Sequence, residues 1–381
     1  MPMAAAIDHN DMAAGMRSAL AIASVDIVTD LATAEPIWRQ LETPETLTTP
    51  YQRFDLQSAW LRQVGPHEAM TPFIVVAYDA DRQPLMLWPL GVRTENGVRV
   101  AQCLGGKHVT FNMALWRRDF ATHATRGDLD ALIAGLKAHP NRPDVLALTR
   151  QPHLWMGVAN PMALLPHQAS INDCPLLTMV PGEPPVNRIS NSFRRRLKGK
   201  ERKLQALPGY RSFLATDDSE VTRVLDMFFT VKPLRMAEQK LPDVFAEPGI
   251  EQFVRDACMA RLGGGERAIA VHALECDDEV IAMFAGVADG QRFSMMFNTY
   301  TMSANAKFSP GLILMRDIID YYGEQGYRSL DLGIGADDYK RLFCKDDQAI
   351  FDNYLPLTTR GAIAAVGLSS LTHAKRLVKH T

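Results

Sequence analysis

The chain has 381 residues, 47% of them hydrophobic and 22% charged, which is the composition of a globular protein with more than one core and excludes a disordered or fibrous chain. With 41 Lys and Arg against 43 Asp and Glu the net charge is −2, which argues against a protein devoted to nucleic acid. Five scattered cysteines without a Cys-x-x-Cys pair fit a reducing compartment, and ten histidines without metal-ligand spacing give no support for a metal.

Residues 1–21 read as a flexible N-terminal segment. Asp8, His9, Asp11 and Arg17 interrupt its apolar stretches, so it lacks the apolar core of a signal peptide. No window approaches the roughly 20 apolar residues needed to span a bilayer, and the expected location is the cytoplasm.

Three strands are expected at Phe73 to Tyr78, Leu85 to Val92 and Val98 to Leu104, with Asn96-Gly97 as a hairpin turn between the last two. A helix near Gly127 to His139 follows, with Leu129, Leu132, Ile133 and Leu136 at helical spacing, and then a strand Val145 to Thr149. Pro175, Pro181, Pro184, Pro185 and Gly182 then mark a connection between domains. The second half repeats the order. Strands at Ala268 to Glu275, Val280 to Ala288 and Arg292 to Tyr300 precede a helix Gly311 to Glu324 and a strand Arg328 to Leu332. Two copies of one plan, about 190 residues apart, point to duplication, and hence to residues 22–182 and 183–358 as two domains of mixed α+β architecture, with a basic tail at 359–381.

Three segments carry candidate chemistry. From Arg188 to Lys203 eight basic residues face a single acid, Glu201, so this stretch is either a solvated helix or a docking surface for phosphates. At Ser309-Pro310-Gly311-Leu312 a strand hands over to a helix. Serine suits the N-cap and proline the first helical position, while glycine lets a ligand approach the backbone; an anion such as a pyrophosphate would meet the amides there. The alternative is a well-capped helix and nothing more.

The third segment is Leu330-Asp-Leu-Gly-Ile-Gly335 running on to Tyr339-Lys340. Period two puts Leu330 and Leu332 on one face of the strand and Asp331 on the other, where a buried acid is costly unless paired. Two glycines then make a turn from which Lys340 can fold back toward Asp331. Lys232 and Arg235 are candidates for holding an anionic acceptor, or else are two surface cations on a helix end. The end of the chain, with Lys375, Arg376 and Lys379 beside Leu371, Leu377 and Val378, reads either as a frayed tail or as a short amphipathic helix in weak contact with a membrane surface.

These motifs resemble the GNAT-like acetyltransferases described as involved in cellulose biosynthesis (CelD-like), relatives of the Fem-type aminoacyltransferases. The resemblance covers about residues 35 to 358, with looser matches at Trp38-Arg-Gln-Leu41, Thr49-Pro50 and Trp88-Pro-Leu90. It implies two tandem GNAT-like domains, the first degenerate and shaping the acceptor groove. An acyl-CoA donor, such as acetyl-CoA, would lie along the splayed fourth and fifth strands of the second, its pyrophosphate at Ser309, Pro310, Gly311 and Leu312. It further implies Lys340 as the stabiliser of the tetrahedral intermediate, Asp331 as its orienting partner, and Tyr339 and Tyr300 as proton-transfer or acceptor-contact residues. Arg194, Arg195, Lys232 and Arg235 would bind substrate. The acceptor is expected to be an amine or hydroxyl of a small molecule or sugar, as in surface polysaccharide synthesis. Aminoacyl transfer from charged tRNA is the second enzymatic reading, though the long helical hairpin of tRNA-using Fem-type enzymes is missing, and a silent binding module is the third.

Overall fold

The computed structural model describes residues 21–335 and 338–380, so the expected flexible segment falls, but for its last residue, outside the described residues. The first half forms β1 (Ser24–Val28), α1 (Leu31–Gln40), α2 (Phe54–Gln63), β2 (Thr71–Tyr78), β3 (Pro84–Glu95), β4 (Val98–Cys103), α3 (Arg126–Ala138) and β5 (Val145–Pro152). At the turn between β3 and β4, φ is 49° at Asn96 and 77° at Gly97, the left-handed pair that a tight hairpin of this twist requires. Helix α3 begins in a reciprocal cap between Thr125 and Asp128 and buries Leu129, Leu132 and Leu136. Strands β1 to β4 pair antiparallel, whereas β4 and β5 run parallel.

The second half, joined by β6 (Cys174–Thr178) from the end of the first, adds α4 (Asn191–Gln205), β7 (Arg211–Leu214), α5 (Asp218–Glu238), α6 (Ile250–Met259), β8 (Ala270–Cys276), β9 (Glu279–Ala288), β10 (Arg292–Tyr300), α7 (Pro310–Glu324), β11 (Ser329–Asp331), β12 (Asp346–Gln348), β13 (Ile350–Pro356) and α8 (Thr359–His380). Its sheet runs β7-β8-β9-β10-β11-β6-β12, and β10 and β11 are again parallel inside an otherwise antiparallel sheet. The repeated plan is therefore a mixed sheet in each half, with helices between the parallel pair.

The sheets exchange strands, which the expected division at 182/183 and 358/359 does not anticipate. β6, inside the stretch read as a connection, pairs with β11 and β12 of the second sheet, Leu176 opposite Asp331 and Cys174 opposite Gln348. β13, from the end of the second half, pairs with β5 of the first, Tyr354 opposite Ala147. A short strand such as β11 buried at Leu330 and Asp331 needs partners on both edges for its backbone groups. Prolines masked this strand in the sequence, yet Pro175 sits near its start, where a missing donor is tolerated.

The end of the chain is likewise a docked helix rather than a tail. The Thr358 hydroxyl donates to Asp144 at 2.6 Å, and a Cβ at Gly361 would come within 1.7 Å of the Asp144 carbonyl oxygen, so α8 enters against the first half's backbone. Leu368, Ala364 and Ala365 pack with Val100, Val145 and Ala147, and Tyr354 shares a hydrogen bond of 2.7 Å with Thr372.

The largest core joins both halves: Leu56, Trp60 and Val109 lie in one cluster with Phe228, Phe253, Met283 and Phe297. A second cluster fills the space between the second sheet and helices α4 and α7, with Phe193, Leu197, Phe293, Ile313 and Leu330.

Candidate functional site: the opening between two parallel strands

β10 and β11 pair only from Arg292 opposite Ser329 to Ser294 opposite Asp331, and then part. Beyond that point β10 keeps β9 on one edge and has lost its neighbour on the other. Met296 is the extra residue of a bulge, since Met295 faces Gly286 and Phe297 faces Ala285. The bulge exchanges the faces of the strand. Before it, Met295 belongs to the cluster under α7 and Ser294 points to the boundary with the first half; after it, Phe297 packs on Phe228 of α5, and Asn298 and Tyr300 turn toward α7. The Thr301 N–H donates to Ile281 on β9, so the alternation of the ladder aims the N–H and C=O of Asn298 and Tyr300 at the open edge.

Helix α7 starts beside this edge. Pro310 occupies its first position as expected, but Ser309 takes the N-cap position with φ 58° and without a side-chain capping bond. Its hydroxyl accepts instead from Lys200 of α4, at 2.7 Å. The amides expected to be free are mostly committed: Ser309 N–H goes to Ala306, Pro310 has none, and Leu312 and Ile313 donate to the Ser309 carbonyl. Gly311 N–H alone in this turn has no acceptor among the described residues. The helix dipole and the Lys200 ammonium both favour an anion there.

A cavity of about 510 Å³ occupies the opening, and Lys232, Arg235, Tyr300, Ser309, Gly311, Leu312 and Tyr339 line it together with Asn298. The structure thus gathers seven of the expected site residues. Lys232 and Arg235 reach across the rim from α5, donating to the carbonyls of Asn298 at 3.4 Å and Tyr300 at 3.2 Å. The Arg235 guanidinium also lies 3.2 Å from the centre of the Tyr300 ring, which keeps that ring at the mouth. Tyr339 hydroxyl accepts from the Asn298 side-chain amide at 3.4 Å.

Asp331 and Lys340 lie behind this cavity, at the glycine turn. Asp331 is wholly buried, and its carboxylate accepts from the Ser294 hydroxyl at 2.5 Å and the Gly333 N–H at 3.1 Å, with the Cys174 thiol at 3.7 Å. Burial pushes its carboxyl above the usual range, against the pull of Arg292 and these hydrogen bonds. Lys340 is also buried, and its ammonium donates at 3.1 Å to the carbonyls of both Gly333 and Ile334. The two residues therefore grip one peptide turn from either side, Asp331 by its N–H and Lys340 by its C=O groups. Lys340 does not line the cavity that holds Tyr339.

The basic helix divides by face. Arg194 is tied to Asp320 of α7, and buried Arg316 to Glu201 at 2.8 Å, so these cations brace α4 on α7. Arg195 is exposed on the outer surface. Lys200 is the residue of this stretch that reaches the helix start, and one basic residue among eight gave no signal in the sequence to single it out. Among the described residues no group of three or more His, Cys, Asp or Glu could hold a metal ion.

Residues 191–341, which span α4 to the turn at Lys340, match the family model described as an acetyltransferase (GNAT) domain. Among solved structures, FemX is similar at 8% identity and a TM-score of 0.55, covering 86% of this chain and 96% of that one. The C-terminal domain of a proposed lysylphosphatidylglycerol synthetase from Agrobacterium fabrum is similar at 9% identity and a TM-score of 0.52, with 90% and 98% covered. A conserved protein of unknown function from Bacteroides thetaiotaomicron follows at 9% identity and a TM-score of 0.51, with 87% and 99% covered. No curated protein matches the sequence. The chain thus shares the fold of these structures over most of its length, and residues 191–341 match the acetyltransferase domain of the GNAT type.

Proposed function

We propose that the chain moves an acyl group, acetyl as the first choice, from coenzyme A to an amine or hydroxyl of a small molecule or sugar. The observation that carries this reading is the cavity at the parted strands, where the start of α7 offers the Gly311 N–H and Lys200 while the open edge of β10 offers the Asn298 and Tyr300 N–H groups. The first pair suits a pyrophosphate. Donors on a fixed strand edge suit the oxyanion that forms when a nucleophile adds to a thioester.

In the reaction the acceptor's nitrogen or oxygen attacks the thioester carbon, the C–S bond breaks, and the proton lost by the acceptor is balanced by one gained by the departing thiolate. Tyr339, lining the cavity with its hydroxyl held by Asn298, is placed to supply that proton. Lys340 serves as a positioning residue that, with Asp331, fixes the glycine turn, and the role of direct oxyanion donor passes to the β10 backbone. Arg235 and Lys232 hold the rim. The chemistry is compatible with an acceptor destined for surface polysaccharide, the class that the CelD-like resemblance implies.

Calorimetry with acetyl-CoA and assay of thiol release test the reading. Binding in the micromolar range with acceptor-dependent release is expected. Absence of acetyl-CoA binding, together with salt-sensitive retention of charged tRNA, would move the assignment to aminoacyl transfer.

A further inference from the structure

Helix α8 lies along the first sheet, packed on β13, β5 and β4. Its inner side is committed: Ala364, Ala365 and Leu368 lie in the cluster with Val100 and Val145, Thr372 meets the Tyr354 hydroxyl, and Arg376 pairs with Asp173. At 3.6 residues per turn, the side opposite Ala365 and Thr372 carries Ile363, Val366, Ser370, Ala374 and Leu377, flanked by Leu371 and Val378. All of these are exposed, Ile363 by 77% and Val378 by 78%. A helix docked on a sheet ordinarily turns polar residues outward, whereas α8 turns out a continuous aliphatic stripe.

The charge on this helix is of one sign. It holds Arg360, Lys375, Arg376 and Lys379 and no acidic residue, in a chain whose net charge is −2. Beside its last turns a shallow groove of about 530 Å³ is lined by Ile171, Asn172, Ala374, Lys375, Val378 and Lys379. Both lysines are exposed, and the Lys379 ammonium donates to the Asn172 side chain at 3.0 Å. Apolar walls next to two exposed ammonium groups match the two parts of an anionic amphiphile, its acyl chain and its phosphate.

The charge also separates the candidate occupants of the stripe. A second copy docked through the same helix would bring four more cations against these four, whereas an anionic bilayer neutralises them. No described helix is long and apolar enough to cross a membrane, and a helix with a narrow apolar stripe beside basic residues lies in the plane of the interface instead.

We infer that α8 is a membrane-surface anchor. It lies flat on a bilayer that contains anionic phospholipid, with Ile363, Val366, Leu371 and Leu377 among the headgroups and upper acyl chains and Lys375 and Lys379 at the phosphates. The inference goes beyond the acyl transfer proposed above and stands without it.

The test uses the full chain with a tryptophan as reporter, since Trp38, Trp60, Trp88, Trp116 and Trp155 are all buried and give a constant background. Ile363→Trp reads the stripe, and Leu234→Trp, at an exposed position of α5 in the second half, reads a surface that the inference leaves in water. Vesicles of phosphatidylcholine mixed with phosphatidylglycerol should shift the Ile363→Trp emission to the blue and reduce its quenching by acrylamide about twofold or more, with Leu234→Trp unchanged. Vesicles of phosphatidylcholine alone should need about tenfold more lipid for the same shift, as should the mixed vesicles once Lys375→Gln and Lys379→Gln are added or the salt is raised. No shift with either vesicle, a shift as large at Leu234→Trp, equal affinity for both lipids, or a blue shift that grows with protein concentration in the absence of lipid would each overturn the inference.

Discussion

Replacing Lys340 by methionine keeps most of the apolar stem and removes an ammonium that donates to two buried carbonyls, those of Gly333 and Ile334, each at 3.1 Å. A hydrogen bond involving a charged group contributes about 1.5 to 3 kcal/mol, and a buried carbonyl left without a donor costs about as much. The ammonium's own desolvation is relieved by the change, which offsets part of the loss. A net destabilisation of about 3 to 5 kcal/mol follows, or a fall in Tm of about 6 to 20 °C for domains of this size. Because the turn packs on β10 where the strands part, a Cβ at Gly333 lying 3.3 Å from the Met295 carbonyl oxygen, turnover should also fall by about a hundredfold at a temperature where the variant is still folded. Binding of acetyl-CoA should change little, since the contacts proposed for it lie at the start of α7. Urea and thermal unfolding read the first quantity, thiol release the second and calorimetry the third. A variant that melts with the parent refutes the structural argument, and a folded variant with parental turnover removes Lys340 from the reaction altogether.

Gly311→Val should weaken acetyl-CoA binding about tenfold or more by covering the one uncommitted amide of the α7 start, and Lys200→Met by about fivefold at low salt and less at high salt, as screening predicts; calorimetry at two salt concentrations decides, and unchanged affinities would place the pyrophosphate elsewhere. Burial gives His108 a folded pKa of about 4, below the 6.5 of the free side chain, so its contribution to stability is present above pH 6.5 and is lost as pH falls toward 4. Between pH 7 and 5 that loss amounts to about 2 kcal/mol, and urea titrations of His108→Gln should show a correspondingly shallower decline than the parent; equal slopes would mean that the ring is not buried in solution. On α8, Ile363 is 77% and Val366 68% exposed, with Lys375 and Lys379 further along the same helix. Sedimentation with phosphatidylglycerol vesicles, weaker with phosphatidylcholine and lost in Val366→Asp, is the expected result; no sedimentation with either lipid would leave the stripe without a membrane role.

The repeated strand order was readable because each strand carries its own signals: β10 ends where Asp289-Gly290 and the run after Tyr300 place it, and α7 begins at a proline. The candidate residues at the cavity were readable for the same local reasons. What escaped was everything decided by partners distant in sequence. Ser294, Asn298 and Tyr300 are all even-numbered, and strict alternation would place them on one face. The bulge at Met296 divides them between the Asp331 side and the α7 side, and nothing in the local sequence marks a bulge there. Lys340 was read as reaching toward Asp331, but its reach is set by where the carbonyls of Gly333 and Ile334 point. The strand at Cys174–Thr178 was hidden by the flanking prolines, because its pairing depends on β11, more than 150 residues later.

That pairing bears on how the site works as a whole. Asp331 sits on a strand whose neighbours are β10 on one side and β6 on the other, and β6 comes from the first half. The first sheet in turn is completed by β13, which begins 15 residues after Gly335 of the glycine turn. Each half therefore supplies a strand without which the other has an unpaired edge, and the burial of Asp331 depends on Cys174 as well as on Ser294. A displacement of one half against the other would have to move β6 against β11, and so the peptide turn that Asp331 and Lys340 hold behind the opening. A strand opening held rigid in this way is what a transfer reaction needs, since attack requires the reacting atoms to be held within about 3 to 3.5 Å of one another. The exchange of strands makes that distance a property of one continuous hydrogen-bonded framework.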